Sequence, residues 1–280
     1  MSNLLSPAPN RPGHSNASLN RGAGLTTRAV WVGLLCLSAV CGFGQKDPGP
    51  VAAVPDPATA ERQGRALADE LLNRRPEQEL TRSAILKVRP PNQDWRETPV
   101  RVTVSLTPTN WTTCYEAAGP SQAVPPTRLV VSYQPGGPNH YELREAAATN
   151  TPPKVLAGNQ TMIPFAGSDF WVADLGLEFL HWPTQRLLRK EIRRGQSCNV
   201  LESINPHPAP GAYSRVVCWI DVDTGGIVHA DAFDVDGQLL KRFAPKSFEK
   251  ISGRWELQEM EIRNARTRSV SRIEFNLSTP

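Results

Sequence analysis

The sequence predicts a mainly β protein built on a single curved antiparallel sheet, with two helices. Short apolar runs bounded by Pro, Gly, Asn and Asp recur along most of the chain, which is typical of strands joined by turns. Two of the connections, DTGG at 223–226 and DVDG at 234–237, have the composition of tight hairpin turns. Helical spacing of apolar residues is confined to two segments.

The strands are predicted from alternation of apolar and polar residues. The pattern is clearest in VRVTVSL at 100–106, where every second residue is Val or Leu. About a dozen strands of this kind favour one long sheet over two separate cores. The other predicted strands are 84–88, 111–116, 129–133, 140–143, 186–192, 197–203, 214–221, 227–233, 239–244, 255–262 and 269–277.

The two predicted helices lie in different parts of the chain. The first covers 58–74, where apolar residues at helical spacing are mixed with Glu, Arg and Asp. The second is predicted over 168–181, because Trp171, Leu175 and Phe179 are spaced by four and a Ser-Asp pair precedes them.

The N-terminal part has the features of an export signal, which predicts a periplasmic protein. Arginines precede an apolar run at 29–40, which is shorter than the roughly 20 residues that a membrane span needs. We therefore predict a signal peptide at 1–44, a flexible Pro/Ala leader at 45–57 and the folded domain at 58–280. Cys41 leaves lipid anchoring as an alternative, although Val before it departs from the small residue that this signal prefers.

The charge balance argues against nucleic-acid binding. The net charge of the whole chain is +4, but residues 1–44 contain three Arg and no acidic residue. Without them 28 Lys and Arg face 27 Asp and Glu. A nucleic-acid binder usually concentrates positive charge on one face.

The mature chain keeps an odd number of cysteines. Cys36 and Cys41 leave with the signal, so Cys114, Cys198 and Cys218 remain. Because Cys198 and Cys218 lie in runs predicted to be neighbouring strands, we predict that they form a disulfide and that Cys114 stays free. No CxxC pair or clustered histidine indicates zinc, and no metal site is predicted.

No motif indicates catalysis. The chain lacks a Gly-x-Ser-x-Gly elbow, a Walker loop and a dinucleotide fingerprint. Glu178 and His181 have the spacing of a di-iron helix, but no second copy of the pair is present, so a helix end is the simpler interpretation. We predict a protein that is not an enzyme and has no cofactor.

Several segments together resemble the outer-membrane lipoprotein-sorting proteins, the LolA-like group of exported bacterial proteins. The resemblance covers at least residues 160–277, and it depends on the order and spacing of the segments more than on any one of them. The segments are FAGSDF at 165–170, DL at 174–175, RGQSCNVLES at 194–203, YSR at 213–215, WID at 219–221, DVDGQLLK at 234–241, GRW at 253–255 and Met260.

The resemblance implies an unclosed β-barrel of about eleven strands, with helices over its mouth and an apolar cavity for acyl chains. The aromatic segment at 170–182 is the candidate lid. Each cavity candidate has ordinary core packing as its alternative, because large aromatics dominate cores. The candidates are Trp111, Tyr115, Phe165, Phe170, Trp171, Leu175, Phe179 and Trp219.

Two functions remain open. The first is a periplasmic carrier of lipoproteins or other lipids, whose implied partners are an inner-membrane transporter and an outer-membrane acceptor. The second is a non-catalytic adaptor for a membrane transporter or assembly complex. The basic run at 186–194 is either a solvated strand face or a contact for acidic membrane partners or lipid headgroups.

Overall fold

A computed structural model describes residues 56–119, 126–145, 152–251 and 253–277. The predicted signal peptide, its two cysteines and nearly all of the predicted leader lie outside the described residues. Within the described part, no helix combines the length and the apolar character needed to cross a membrane.

Thirteen strands of the described chain form one antiparallel sheet, which curves without closing. The mainly β prediction is confirmed, with two strands more than the eleven that the resemblance implied. The first six are β1 (Leu80–Arg89), β2 (Arg96–Leu106), β3 (Trp111–Ala117), β4 (Thr127–Tyr133), β5 (His140–Glu145) and β6 (Lys154–Leu156). The other seven are β7 (Thr184–Arg193), β8 (Gln196–Ile204), β9 (Arg215–Asp221), β10 (Ile227–Phe233), β11 (Leu239–Ile251), β12 (Arg254–Asn264) and β13 (Val270–Phe275).

The strand order joins the two halves of the chain. The sheet runs β6-β5-β4-β3-β2-β1-β13-β12-β11-β10-β9-β8-β7, so the first and last strands pair at its centre. In β2 the predicted alternation is observed, since Val100, Val102 and Val104 are buried while Arg101 and Ser105 are exposed. The buried residues face the inner side of the curve.

Helix α1 (Pro57–Leu72) packs against β7. Asp56 caps its N-terminus, because Oδ1 accepts a hydrogen bond of 3.1 Å from the Thr59 amide. Gly64 lies at the closest approach, where a Cβ would come within 2.6 Å of the Arg186 backbone. Only glycine allows this contact between helix and strand.

The second predicted helix is broken, and this corrects the sequence interpretation. The segment at 163–182, here called the cap segment, contains one α turn, α2 (Val172–Leu175), followed by a 3₁₀ turn (Glu178–His181). Between them Leu177 is left-handed with φ of 53°. Because of the break, Leu175 and Phe179 pack in different core clusters and do not lie on one face of a single helix.

Gly176 explains why the cap segment turns where it does. A Cβ at this position would overlap the ring and hydroxyl of Tyr141 on β5. The backbone of the cap segment can therefore lie directly on that ring only with glycine.

The apolar core has two clusters on the inner face and one on the outer face. The first inner cluster joins the cap segment to β1–β6, β12 and β13, and the second joins it to α1 and β8–β11. The outer cluster contains Cys198, Val200, Val217 and Trp219.

The predicted disulfide is wrong. Cys198 pairs with Asp221 in the register of β8 and β9, and Cys218 pairs with Leu201. Because successive side chains in a strand point to opposite faces, Cys198 belongs to the outer cluster and Cys218 to the inner one. Both thiols are free, as is Cys114.

Candidate functional site

A pocket lies between the cap segment and the inner face of the sheet. Its cavity volume is about 30 Å³. That is room for about two waters, so the pocket is narrow in this state. Its lining is Asp174, Leu177, Phe179, Tyr213, Val216, Ile227, Ala230, Ala232, Lys241, Phe243 and Ile262.

The polar wall of the pocket is centred on Lys241 of β11. Its side chain is buried because strand alternation points it inward, while the next residue, Arg242, points outward to Asp231 at 2.9 Å. The Lys241 ammonium lies 3.4 Å from the centroid of the Trp171 ring and 5.3 Å from that of Tyr213. Both distances fall within the range of cation–π attraction.

Asp174 of the cap segment provides the counter-charge. Its Oδ2 is 3.7 Å from Lys241 Nζ, and it accepts hydrogen bonds from the Trp171 amide at 2.7 Å and from Tyr213 Oη. Burial raises the pKa of Asp174 and lowers that of Lys241 to about 8. A buried pair of this kind costs desolvation, so its geometry must be well satisfied to persist.

Asp169 fastens the cap segment to β13. Its carboxylate accepts hydrogen bonds from Ser269 Oγ at 2.6 Å and Ser271 Oγ at 2.8 Å, while its amide donates to Ser271 Oγ. Lys241 Nζ donates to its carbonyl oxygen at 2.7 Å. The loop before α2 is therefore tied to β11 and β13 together.

A second set of polar groups, partly buried, lies at the break in the cap segment. Burial raises the pKa of Glu178 to about 7, although hydrogen bonds from Tyr141 and the Gly158 amide favour its charged form. Burial also lowers the pKa of His181 to about 4. Within the described chain, His181 Nε2 is buried without a hydrogen-bond partner.

The Glu178 carboxyl makes stability depend on pH. Since its folded pKa lies above 4.5, protonation favours the folded state, and this contribution is complete below about pH 4.5 and lost as pH rises through about 7.

We expect Glu178→Gln to be more stable than wild type by about 2 kcal/mol at about pH 8, with the gain vanishing near pH 4.5. Urea unfolding of both proteins between about pH 4.5 and pH 8 measures this difference in the free energy of unfolding. Glu145→Gln, an exposed change at the end of β5, is the control, and a gain that does not shrink on acidification contradicts the assignment.

Most of the predicted cavity residues fill the core beside the pocket. Each is at most 1% exposed, and the stacked Trp111 and Tyr133 rings and the edge contact of Tyr115 with Phe165 show ordinary core packing. Core packing, the alternative weighed from the sequence, thus describes their surroundings in this state. The residues are Trp111, Tyr115, Phe165, Phe170 and Leu175.

The other three candidates lie in three different places. Phe179 lines the pocket. Trp171 stacks on Tyr213 with ring centroids 4.5 Å apart and forms the floor under Lys241. Trp219 lies on the outer face, where the Arg193 guanidinium covers it at 4.1 Å, so it does not line the pocket.

Sequence reasoning missed the charged and polar residues of the site. Asp169, Asp174, Tyr213 and Lys241 come together only through the fold, since they lie in three separate segments of the chain. A lysine at an inward position of the apolar run that became β11 is the one local signal that could have indicated a buried charge.

None of the three thiols is activated. Burial raises the pKa of Cys114, raises that of Cys198 to about 11 and raises that of Cys218 further. A thiol of raised pKa is a poor nucleophile near neutral pH.

Comparison with solved structures places the fold in a known class. A protein of the DUF1329 family from Desulfovibrio piger is 20% identical, covers 78% of this chain and 92% of its own, and has a TM-score of 0.59. A domain described as an outer membrane lipoprotein-sorting protein from Vibrio parahaemolyticus is 18% identical, covers 77% and 91%, and has a TM-score of 0.63. A LolA superfamily protein from Nitrosomonas europaea is 18% identical, covers 78% and 91%, and has a TM-score of 0.51.

The chain therefore has a LolA-like fold, and the predicted resemblance is confirmed at the level of structure. A family model described as "Uncharacterized protein" matches residues 149–278, a range that contains the whole cap segment and strands β6 to β13. A search of curated proteins finds no match.

Proposed function

We propose that this protein is a periplasmic carrier that binds acyl chains of lipoproteins or other lipids in the pocket beneath the cap segment. The observation that carries the proposal is the pocket itself, which is lined mainly by aliphatic and aromatic side chains and covered by a segment held through a few polar contacts. Such a wall favours apolar ligands, because it offers few directed hydrogen bonds.

The cap segment has to move for an acyl chain to enter. The space reachable by water is about 30 Å³, far below the roughly 300 Å³ of an ordinary ligand site. Burying about ten CH₂ groups gains roughly 8 kcal/mol, whereas each hydrogen bond to a charged group contributes about 1.5–3 kcal/mol. A chain of that length can therefore offset the loss of the two hydroxyl hydrogen bonds to the Asp169 carboxylate.

The break in the cap segment is the position best suited to act as a hinge. The left-handed Leu177 and the adjacent Gly176 separate two short turns, and the second turn is held separately by Gln185, whose Nε2 donates to the Phe179 carbonyl at 2.9 Å. Opening at this break would move the part at 163–176 while the turn at 178–181 stays on the sheet, and a bound acyl chain would replace the core contacts that Phe170 and Leu175 lose.

Native mass spectrometry of protein purified from its own cell envelope tests the proposal directly. Acyl-chain ligands that copurify with the protein, and that are displaced by a fluorescent fatty acid, are the expected result. Protein that carries no lipid and does not bind the fluorescent acid under native conditions would contradict it.

A pocket-filling variant tests the location. Ala232 lines the pocket and is 7% exposed, so Ala232→Phe should occupy the space that an acyl chain needs and weaken fluorescent fatty-acid binding at least tenfold. The matched control is Ala265→Phe in the exposed turn after β12. Equal affinity of Ala232→Phe and wild type would place the ligand elsewhere.

The narrowness of the pocket favours a second candidate, the adaptor for a membrane transporter or assembly complex. In that function the cap segment stays closed and the sheet serves as a binding platform. A protein with no acyl ligand that pulls down an envelope complex through its own surface is the result that this candidate predicts.

A further inference from the structure

Three of the five exposed large apolar side chains among the described residues lie at one end of the sheet. Ile192 is 63% exposed, Val222 is 43% exposed and Phe248 is 37% exposed. They lie in different strands and turns, so their proximity is a property of the fold. Scattered single apolar residues need no explanation, but a group at one end of a sheet does.

The register shows that these residues share an end. Ile192 pairs with Ser197 across the β7–β8 hairpin, and the Val222 amide donates to the Ser197 carbonyl at 2.8 Å. On β11, Phe243 pairs with Ala230 of β10, and β11 then continues past the first residue of β10, Ile227. Phe248 lies in this continuation, on the side of the β9–β10 turn. The β7–β8 hairpin, the β9–β10 turn and the far part of β11 therefore project in the same direction.

The residues next to Ile192 in sequence carry a net positive charge. The run 189–194, RKEIRR, has four basic residues and one acidic residue, which leaves a net charge of +3. On the outer face, the Arg193 guanidinium covers Trp219, and Glu191 binds Trp219 Nε1 and Arg189. Strand alternation then places Lys190 and Ile192 on the other face, where Lys190 has no ion-pair partner within the described chain.

We propose that this end, here called the docking end, binds the surface of a bilayer that contains anionic phospholipid. A cation beside an exposed aliphatic residue suits such a surface, because the ammonium attracts the phosphate while the side chain enters the interface. Each basic residue near an anionic leaflet contributes about a fivefold gain in binding. A neutral protein surface would offer the aliphatic residue a partner but would leave the lysine unmatched.

The docking end lies next to the pocket but does not depend on it. Ile227, which lines the pocket, begins β10 directly after the turn that carries Val222. A molecule docked by this end would hold one end of the pocket near the membrane. The inference concerns attachment and stands whether or not the pocket binds lipid.

Co-flotation of the purified protein with vesicles tests the proposal. We expect binding to vesicles of phosphatidylcholine mixed with phosphatidylglycerol, little binding to phosphatidylcholine alone, and weakening as salt is added. Lys190→Glu should reduce binding to the mixed vesicles by about 25-fold, because it removes one fivefold attraction and adds an equal repulsion. Ile192→Asp should reduce it by at least about fivefold, because it adds one repelled charge and removes an aliphatic side chain.

Matched controls lie elsewhere on the sheet. Val235→Asp changes a residue that is 72% exposed in the β10–β11 turn at the opposite end, and Lys154→Glu reverses an exposed charge on β6. Both should bind mixed vesicles like wild type. Wild-type protein that does not float with mixed vesicles, or controls that lose binding as strongly as Ile192→Asp, would overturn the proposal.

The same variants separate this inference from the proposed function. Ile192→Asp should bind a fluorescent fatty acid like wild type, and Ala232→Phe should keep its affinity for mixed vesicles. Failure of the fatty-acid assay alone would remove the carrier function and leave the docking end in place.

Discussion

Replacing Lys241 by methionine should lower the free energy of unfolding by about 3 to 5 kcal/mol near neutral pH. The change leaves the Asp174 carboxylate largely buried without the ammonium 3.7 Å away, and it removes the cation above the Trp171 ring. It also removes the hydrogen bond to the Asp169 carbonyl. Loss of one member of a buried pair costs more than the pair contributes, because the remaining charge is left uncompensated.

A double-mutant cycle separates the pair from simple packing. Asp174→Asn combined with Lys241→Met leaves no buried charge, so the double variant should be less destabilised than the sum of the single variants by about 2 kcal/mol. Lys246→Met on the same strand is the control, because the Lys246 side chain is 35% exposed and its Nζ lies 4.0 Å from Glu261 Oε1. Strictly additive losses would show that the two charges act independently.

Removing the Asp169 side chain should loosen the cap segment. Asp169→Ala deletes the acceptor of two hydroxyl hydrogen bonds and leaves Ser271 buried with one bond fewer, at a cost of about 2 to 4 kcal/mol. In this variant, amide exchange relative to wild type should increase more in residues 163–176 than in the sheet. A fluorescent fatty acid should also bind to the variant faster than to wild type.

Asp236→Ala provides the comparison, since it alters an exposed carboxylate in the β10–β11 turn. Its exchange pattern should match that of wild type. If Asp169→Ala is destabilised uniformly, with no local increase in exchange at 163–176, then Asp169 stabilises the whole fold and does not specifically hold the cap segment.

The strands were largely predictable because their signal is local. Alternation in residues 100–106 identified β2, and the turn at 234–237 identified the connection of β10 to β11, since each depends on neighbouring residues alone. The cap segment was less predictable. Spacing by four suggested one helix, but contact with Tyr141 requires Gly176 and a left-handed Leu177, and no local pattern reports a contact with β5.

The cysteine pair likewise depends on a feature that local sequence does not reveal, the register of two strands. Cys198 and Cys218 were correctly placed in neighbouring strands, yet their faces follow from the register, and Cys198 opposite Asp221 puts the two thiols on different sides of the sheet. A shift of one residue reverses every side chain of a strand. Adjacent strands therefore do not by themselves predict a disulfide.

By itself, the sequence determined the mainly β class, most strand positions, the first helix and the LolA-like resemblance, because periodicity and turn composition act over a few residues. Only the tertiary structure decided the site. Lys241, Asp174 and Asp169 are brought together by the pairing of β11 through β13 and by the cap segment folding onto them. Burial then raises the pKa of Asp174 and lowers that of Lys241, and burial depends on the whole fold.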